Sequence, residues 1–232
     1  MFQRKKRCEH SDTPYEHRLS EKSSFRTQES YKTIRTNLQF AMAGSDKKSI
    51  VISSSFPAEG KSITCANTSI TLAQTAKRVL LIDADLRKPT QHKIFRVDNS
   101  HGLSTILVGF DKLGEAMHKD VDKNLDLITA GPIPPNPSEL LGSNRMDILL
   151  EKLNEFYDYI VIDTPPVNVV TDAVVLAAKT AGVALVSRQN ITTFDEIKKA
   201  LDAISFAKAK VLGVIVNDVD LKHKNGYYGD YA

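Results

Sequence analysis

Five short runs of apolar, mostly β-branched residues recur along this chain, separated by helix-patterned stretches: Ile50-Val51-Ile52, Val79-Leu80-Leu81-Ile82, Tyr159-Ile160-Val161-Ile162, Val183-Ala184-Leu185-Val186 and Val211 to Val216. The runs are continuous rather than alternating, as strands covered on both faces require, and the helices between them supply the crossovers of a parallel sheet. The pattern predicts a doubly wound α/β fold, with a mainly parallel sheet and helices on both faces. Leu125 to Ile128 is a candidate sixth strand. No composition break divides residues 49–220. With 232 residues, 25% charged and 41% hydrophobic, the chain is an ordinary globular one and not a disordered, collagen-like or coiled-coil sequence.

Charge is unevenly placed. Residues 1–35 hold nine Lys/Arg and five Asp/Glu, which leaves 22 and 23 for the remainder, so the body is nearly neutral under a total of +3. The basic cluster Arg4-Lys5-Lys6-Arg7 lies outside the patterned region, which argues against nucleic acid as a partner. Residues 1–25 read as a flexible basic segment, 26–221 as a single domain and 222–232 as a flexible tail. No apolar run approaches the roughly 18 to 20 residues that cross a bilayer, and the N-terminus has no secretory h-region. A cytoplasmic location is expected. Cys8 and Cys65 have no metal-binding or disulfide spacing and read as free thiols.

Residues 27–42 read as a helix with Tyr31, Ile34, Leu38 and Met42 on one apolar stripe. Glu29, Lys32 and Arg35 fall at three-residue intervals on another side, where spacing alone favours a solvated face.

The chemistry concentrates after the first strand. Ser53 to Ser62 reads SSSFPAEGKS and is followed by the helix-like stretch Ile63 to Ala76. Strand, loop and helix around Gly60-Lys61-Ser62 form a phosphate-binding arrangement: backbone N–H groups wrap phosphate oxygens, the lysine ammonium spans β- and γ-phosphates, and the serine hydroxyl reaches Mg²⁺. Ser55, Pro57, Ala58, Glu59, Gly60, Lys61, Ser62 and Ile63 are the nucleotide-binding candidates, although Ser55 stands where the standard pattern has its first glycine. The second strand ends in Asp83-Ala84-Asp85-Leu86-Arg87, with two aspartates on one face, and a third apolar strand ends in Asp163. Ligands of open α/β sheets sit at that end. A hard cation takes oxygen ligands, so Ser62, Asp85 and Asp163 are the Mg²⁺ candidates and Asp83 is left to accept a proton. Arg87 either neutralises a transferring phosphoryl group or pairs with Asp83.

Three of the seven tyrosines, Tyr227, Tyr228 and Tyr231, occupy the last six positions. Eleven residues separate Val216 from Tyr227, a reach of at most about 36 Å.

These residues resemble the bacterial tyrosine kinases, in particular the stand-alone CpsD/CapB type of capsule and exopolysaccharide synthesis. The likeness covers almost the whole chain and rests on Ser55 to Ser62 as Walker A, Ile82 to Pro89 as Walker A′, Ile162 to Pro166 as Walker B, and the tyrosine-rich end. It implies a P-loop NTPase (ParA/MinD-like) architecture, ATP and Mg²⁺ as cofactors, and catalysis by Lys61, Asp83, Asp85, Arg87 and Asp163. Tyr227, Tyr228 and Tyr231 become phosphoacceptors, modified in trans within a ring-like homo-oligomer, and Asn217 faces adenine. The family's oligomerisation motif Glu-x-x-Arg-x-x-Arg matches Glu29, Lys32 and Arg35, with lysine at its middle position. Ala58 stands where the family usually has glycine. The family also pairs its kinase with a separate membrane-bound activator that acts through a cytoplasmic segment and would recruit this chain to the inner face of the membrane; other proteins are possible substrates. A ParA/MinD-like ATPase switch without kinase activity is the alternative. Such relatives carry a further lysine early in the loop, where this chain has Phe56, and a membrane-positioning amphipathic end that this chain lacks. A weakly catalytic regulatory subunit whose tail recruits partners is a third reading.

Overall fold

The computed structural model describes residues 14–219. Seven strands form one sheet: β1 (Ser49–Ser54), β2 (Val79–Asp83), β3 (Met117–Asp122), β4 (Leu125–Ile128), β5 (Tyr159–Asp163), β6 (Val183–Arg188) and β7 (Val211–Asn217). Their spatial order is β3-β4-β2-β5-β1-β6-β7, parallel throughout except for the β3–β4 pair at one edge.

Burial explains the continuous apolar runs. Ile50 and Ile52 join one core layer while Val51 joins the other, and Val79 and Leu81 part from Leu80 and Ile82 in the same way. Successive side chains on a strand point to opposite faces, so both faces of the central strands must be covered. One layer holds Leu38 and Met42 of α1 (Phe25–Met42), Cys65, Ile70 and Leu72 of α2 (Lys61–Ala73), and Ile94 and Phe95 of α3 (Gln91–Phe95). The other face is covered by α4 (Leu103–Val108), α5 (Pro137–Gly142), α6 (Asn144–Phe156), α7 (Asp172–Ala177) and α8 (Phe194–Phe206). Each fully buried Leu or Ile contributes about 1.5–3 kcal/mol.

The apolar stripe of α1 packs as its spacing predicts, with Leu38 and Met42 buried and Tyr31 and Ile34 half-buried against the same layer. Two differences stand out. β3, which the sequence pattern did not reveal, is a half-exposed antiparallel edge of sequence MHKDVD with a register shift between His118 and Asp122. Polar edges of this kind discourage pairing with other chains. The flexible segment expected over residues 1–25 is corrected over its described part. Pro14–His17 form a 3₁₀ turn, Leu19 is buried, and Asn67 of α2 clasps the segment: the Leu19 N–H donates to Asn67 Oδ1 at 2.7 Å and Asn67 Nδ2 donates to the His17 carbonyl at 3.1 Å. Tyr15 is stacked under Arg96, 3.4 Å from the ring centre. Residues 222–232 lie outside the described residues.

Candidate active site

β1 delivers the chain into a loop that ends at the first residue of α2, Lys61. Gly60 caps the helix at φ +84°, a conformation that favours glycine, and a Cβ there would lie 2.1 Å from Asn217 Nδ2 and displace that amide. The loop is braced from behind. Glu59, nearly buried, accepts the Phe56 N–H at 2.7 Å and the Thr192 hydroxyl, and its carbonyl accepts Asn217 Nδ2 at 3.0 Å. Ala58 adopts φ +64°, a left-handed conformation that costs an L-residue about 1–2 kcal/mol.

Three acids converge under this loop because of strand register. Asp83 and Asp163 are direct partners across the β2–β5 pair. Lys61 Nζ reaches over them, 2.9 Å from Asp85 Oδ2, 3.4 Å from Asp163 Oδ1 and 3.1 Å from Ser62 Oγ. Burial alone would lower the Lys61 pKa, but the charges of Asp163 and Asp85 outweigh it and hold the ammonium above its ordinary value. Asp83 is fully buried, and burial followed by the Asp163 charge pushes it up to about 8. Its Oδ2 accepts the N–H groups of Thr90 (3.0 Å) and Gln91 (2.9 Å), and Oδ1 accepts that of Asp85 (3.2 Å). Asp163 is likewise raised by burial, against the opposing Lys61 charge, and accepts Gln91 Nε2 at 2.7 Å.

A cavity of about 340 Å³ opens above this group, lined by Pro57, Ala58, Gly60, Lys61, Ser62 and Asp85 among others, with Ile63 and Arg87 at its wall. The residues fit a magnesium-bound triphosphate. The buried Ser55 hydroxyl has no hydrogen-bond partner, Gly60 leaves the backbone bare, and the donor set around Lys61 is all hard oxygen. Among the described residues no three His, Cys, Asp or Glu side chains form a metal cage. Mg²⁺ needs only one or two carboxylates when phosphate completes its shell.

Residues 47–210 match the model of a family described as AAA domain. The chain is 44% identical over 203 residues to the tyrosine-protein kinase YwqD of Bacillus subtilis (strain 168), a match covering 87% of this chain and 86% of that protein. It belongs to the bacterial tyrosine kinases. The crystal structure of the chimerical protein CapA2B2 superposes with a TM-score of 0.79 at 40% identity, covering 84% of this chain and 85% of that one. Against the tyrosine-protein kinase etk of Escherichia coli (strain K12) the identity is 37% over 199 residues, 86% of this chain but only 27% of that protein. The chain is thus a protein-tyrosine kinase on a P-loop NTPase fold, and it spans nearly the whole of one relative and about a quarter of another.

Not every expected site residue of this kinase stands at the cavity. Asp83, expected to be free for a proton, is closed in by its three N–H donors. Arg87 does not pair with Asp83; its Nε donates to Asp172 Oδ2 at 2.9 Å and its Nη2 to Asp172 Oδ1 at 3.2 Å and Ser138 Oγ at 3.1 Å. The Asn217 amide braces Glu59 instead of standing free. Glu29 and Lys32 pair with each other at 2.7 Å on the surface, while Arg35 Nη1 donates to the Thr71 carbonyl at 3.1 Å and so ties α1 to α2. Tyr227, Tyr228 and Tyr231 lie outside the described residues. Gln91, which bridges Asp163 and the Ser62 carbonyl (3.0 Å), and Asp172, which anchors Arg87, were not found from sequence. Neither belongs to a spacing pattern, and both contacts arise only on folding.

Proposed function

We propose that this kinase transfers the γ-phosphoryl group of ATP to Tyr227, Tyr228 and Tyr231 of a neighbouring copy within an oligomer that Glu29, Lys32 and Arg35 help to form, and that it serves capsular or exopolysaccharide synthesis. The observation that carries this reading is the convergence of Ser62, Asp85 and Asp163 within 3.4 Å of the Lys61 ammonium at a phosphate-binding loop.

The loop N–H groups and Ser55, Pro57, Ala58, Gly60 and Ile63 cradle the phosphates, while Lys61 leaves the carboxylates to hold the β- and γ-oxygens. Ser62, Asp85 and Asp163 are the residues that would hold Mg²⁺, which would supply neutralisation of charge on the phosphoryl group. A phenol of ordinary pKa near 10 needs a base, and Asp83 takes that role in its ionised form, which burial beside Asp163 delays to about pH 8, after its Thr90 and Gln91 N–H contacts open to the cavity, so the transfer step gains as pH rises toward 8. Arg87, fixed by Asp172, lines the cavity and adds positive charge beside the transferring group. A separate membrane-bound activator works through a cytoplasmic segment and recruits the kinase to the membrane, a reading supported by the likeness to the chimerical protein CapA2B2. Among the described residues no helix is long and apolar enough to cross a membrane.

The test is incubation with Mg-ATP, with and without candidate activator segments, followed by phosphotyrosine mapping against a variant with Tyr227, Tyr228 and Tyr231 changed to Phe. Modification confined to other tyrosines overturns the acceptor assignment. ATP turnover with no phosphotyrosine overturns the transfer to protein.

A further inference from the structure

A second cleft, of about 550 Å³, lies on the other flank of the turn that follows β2. Its wall carries Arg87, Lys88, His92, Lys93 and Asn99, closed by the Gly131-Pro132-Ile133 stretch, and it shares Arg87, Lys88 and Thr90 with the nucleotide cavity. An extended peptide laid across this turn therefore touches both spaces.

The lining is one-signed. It has three permanent cations and a histidine, and no carboxylate among its described residues. Asp172 already occupies Arg87, but no described carboxylate lies within salt-bridge distance of Lys88 or Lys93. Among the described residues, Asp98 is the acid whose charge acts on His92. The rim is stiff, because the Asn99 amide both accepts the Gly131 N–H (2.9 Å) and donates to its carbonyl (3.0 Å). His92 Nδ1 is buried without a hydrogen-bond partner.

A ready occupant exists in the chain itself. β7 ends at Asn217, whose amide braces the phosphate loop, so the strand stops at the catalytic end of the sheet. After Asp218-Val219-Asp220-Leu221 come residues 222–232, outside the described residues, which read Lys222-His223-Lys224-Asn225-Gly226-Tyr227-Tyr228-Gly229-Asp230-Tyr231-Ala232; within this stretch Asp230 is the one acidic side chain, and it stands between Tyr228 and Tyr231. We propose that the Arg87–Lys88–Lys93 cleft binds the carboxylate of Asp230 from the tail of a second copy, seating a neighbouring tyrosine at the nucleotide site. The kinase is then selective for tyrosines with an acidic residue nearby. This deepens the proposed tail phosphorylation and rests on it for the chemistry: the bond from the γ-phosphorus to the ADP oxygen breaks, a bond to the phenolic oxygen forms, and the phenolic proton passes to the aspartate pair.

Binding and transfer are measured separately with a fluorescein-labelled peptide of residues 222–232 and the full chain carrying Phe at its own three tail tyrosines. Fluorescence anisotropy gives Kd, and phosphate incorporation gives KM. Changing Asp230 to Asn in the peptide, or Lys93→Glu in the kinase, should each weaken binding about three- to tenfold at low salt, and the Lys93→Glu kinase should no longer distinguish the two peptides. Nucleotide affinity should stay unchanged in Lys93→Glu. One Kd for all four combinations, or no measurable binding of the native peptide, overturns the cleft assignment. Charge-dependent binding without any phosphate incorporation leaves the cleft standing and sinks tail phosphorylation.

Discussion

Asp83 and Asp163 face each other across the β2–β5 register, both fully buried, with the Lys61 ammonium as the cation closest to Asp163. Two carboxylates on neighbouring strands cannot both ionise cheaply away from water, so Asp83 keeps its proton up to about pH 8. An acid whose folded pKa exceeds its unfolded value holds a proton that the unfolded chain has lost, and stability then falls as pH rises between the two values. In nucleotide-free protein with EDTA, the thermal midpoint should therefore decline from about pH 4 toward pH 8, and Asp83→Asn should flatten that slope. A wild-type midpoint that rises over this range contradicts the buried, protonated Asp83.

Lys61→Met should abolish Mg-ATP-dependent phosphotyrosine. It also strips the countercharge from Asp85 and Asp163, and breaking a buried pair typically costs about 3–5 kcal/mol. Because the stranded acids can protonate, most of the lost stability should return at acid pH. Melting the variant at pH 8 and pH 5 checks both statements; an equal deficit at the two values excludes the carboxylates as its source.

Asp83→Asn should lower the phosphorylation rate by about 10² to 10⁴ with little change in KM for ATP, as removal of a general base does. Asp85→Asn should raise the Mg²⁺ requirement instead. If Asp83→Asn retains full activity while Asp85→Asn loses it, the proton goes to the acid that lines the cavity.

The strands and the three acids were legible in the sequence because continuous apolar runs announce doubly covered strands and an aspartate at a strand end marks the ligand edge. β3 was not, since MHKDVD carries no run and its pairing is fixed by β4 alone. Gln91 meets Asp163 across 72 positions and Arg87 meets Asp172 across 85, contacts that no local pattern encodes. The turn at Pro14–His17 was hidden for the same reason, its partner Asn67 lying on α2.

Ala58→Gly tests the left-handed loop residue. Glycine removes about 1 kcal/mol of strain at φ +64° but adds comparable freedom to the unfolded chain, so global stability should change by less than about 1 kcal/mol. The loop itself should become easier to form around phosphate. Nucleotide affinity measured by calorimetry should hold or rise, and a large loss would mean that the Ala58 methyl packs against the ligand.

Asn67→Ala should release the N-terminal turn. The substitution removes the acceptor of the buried Leu19 N–H and a donor to the His17 carbonyl, at a cost of about 1–3 kcal/mol, or a few degrees to roughly 10 °C in midpoint for a chain of this size. Because Arg18 and Phe95 also stack at 5.4 Å, the loosened turn no longer steadies the end of α3, whose first residue, Gln91, holds Asp163. Hydrogen exchange reads this directly: the Leu19 amide should lose its protection in the variant, while amides of β1 and β5 keep theirs. A Leu19 amide that exchanges at the unprotected rate in the wild type would show that the turn is not docked.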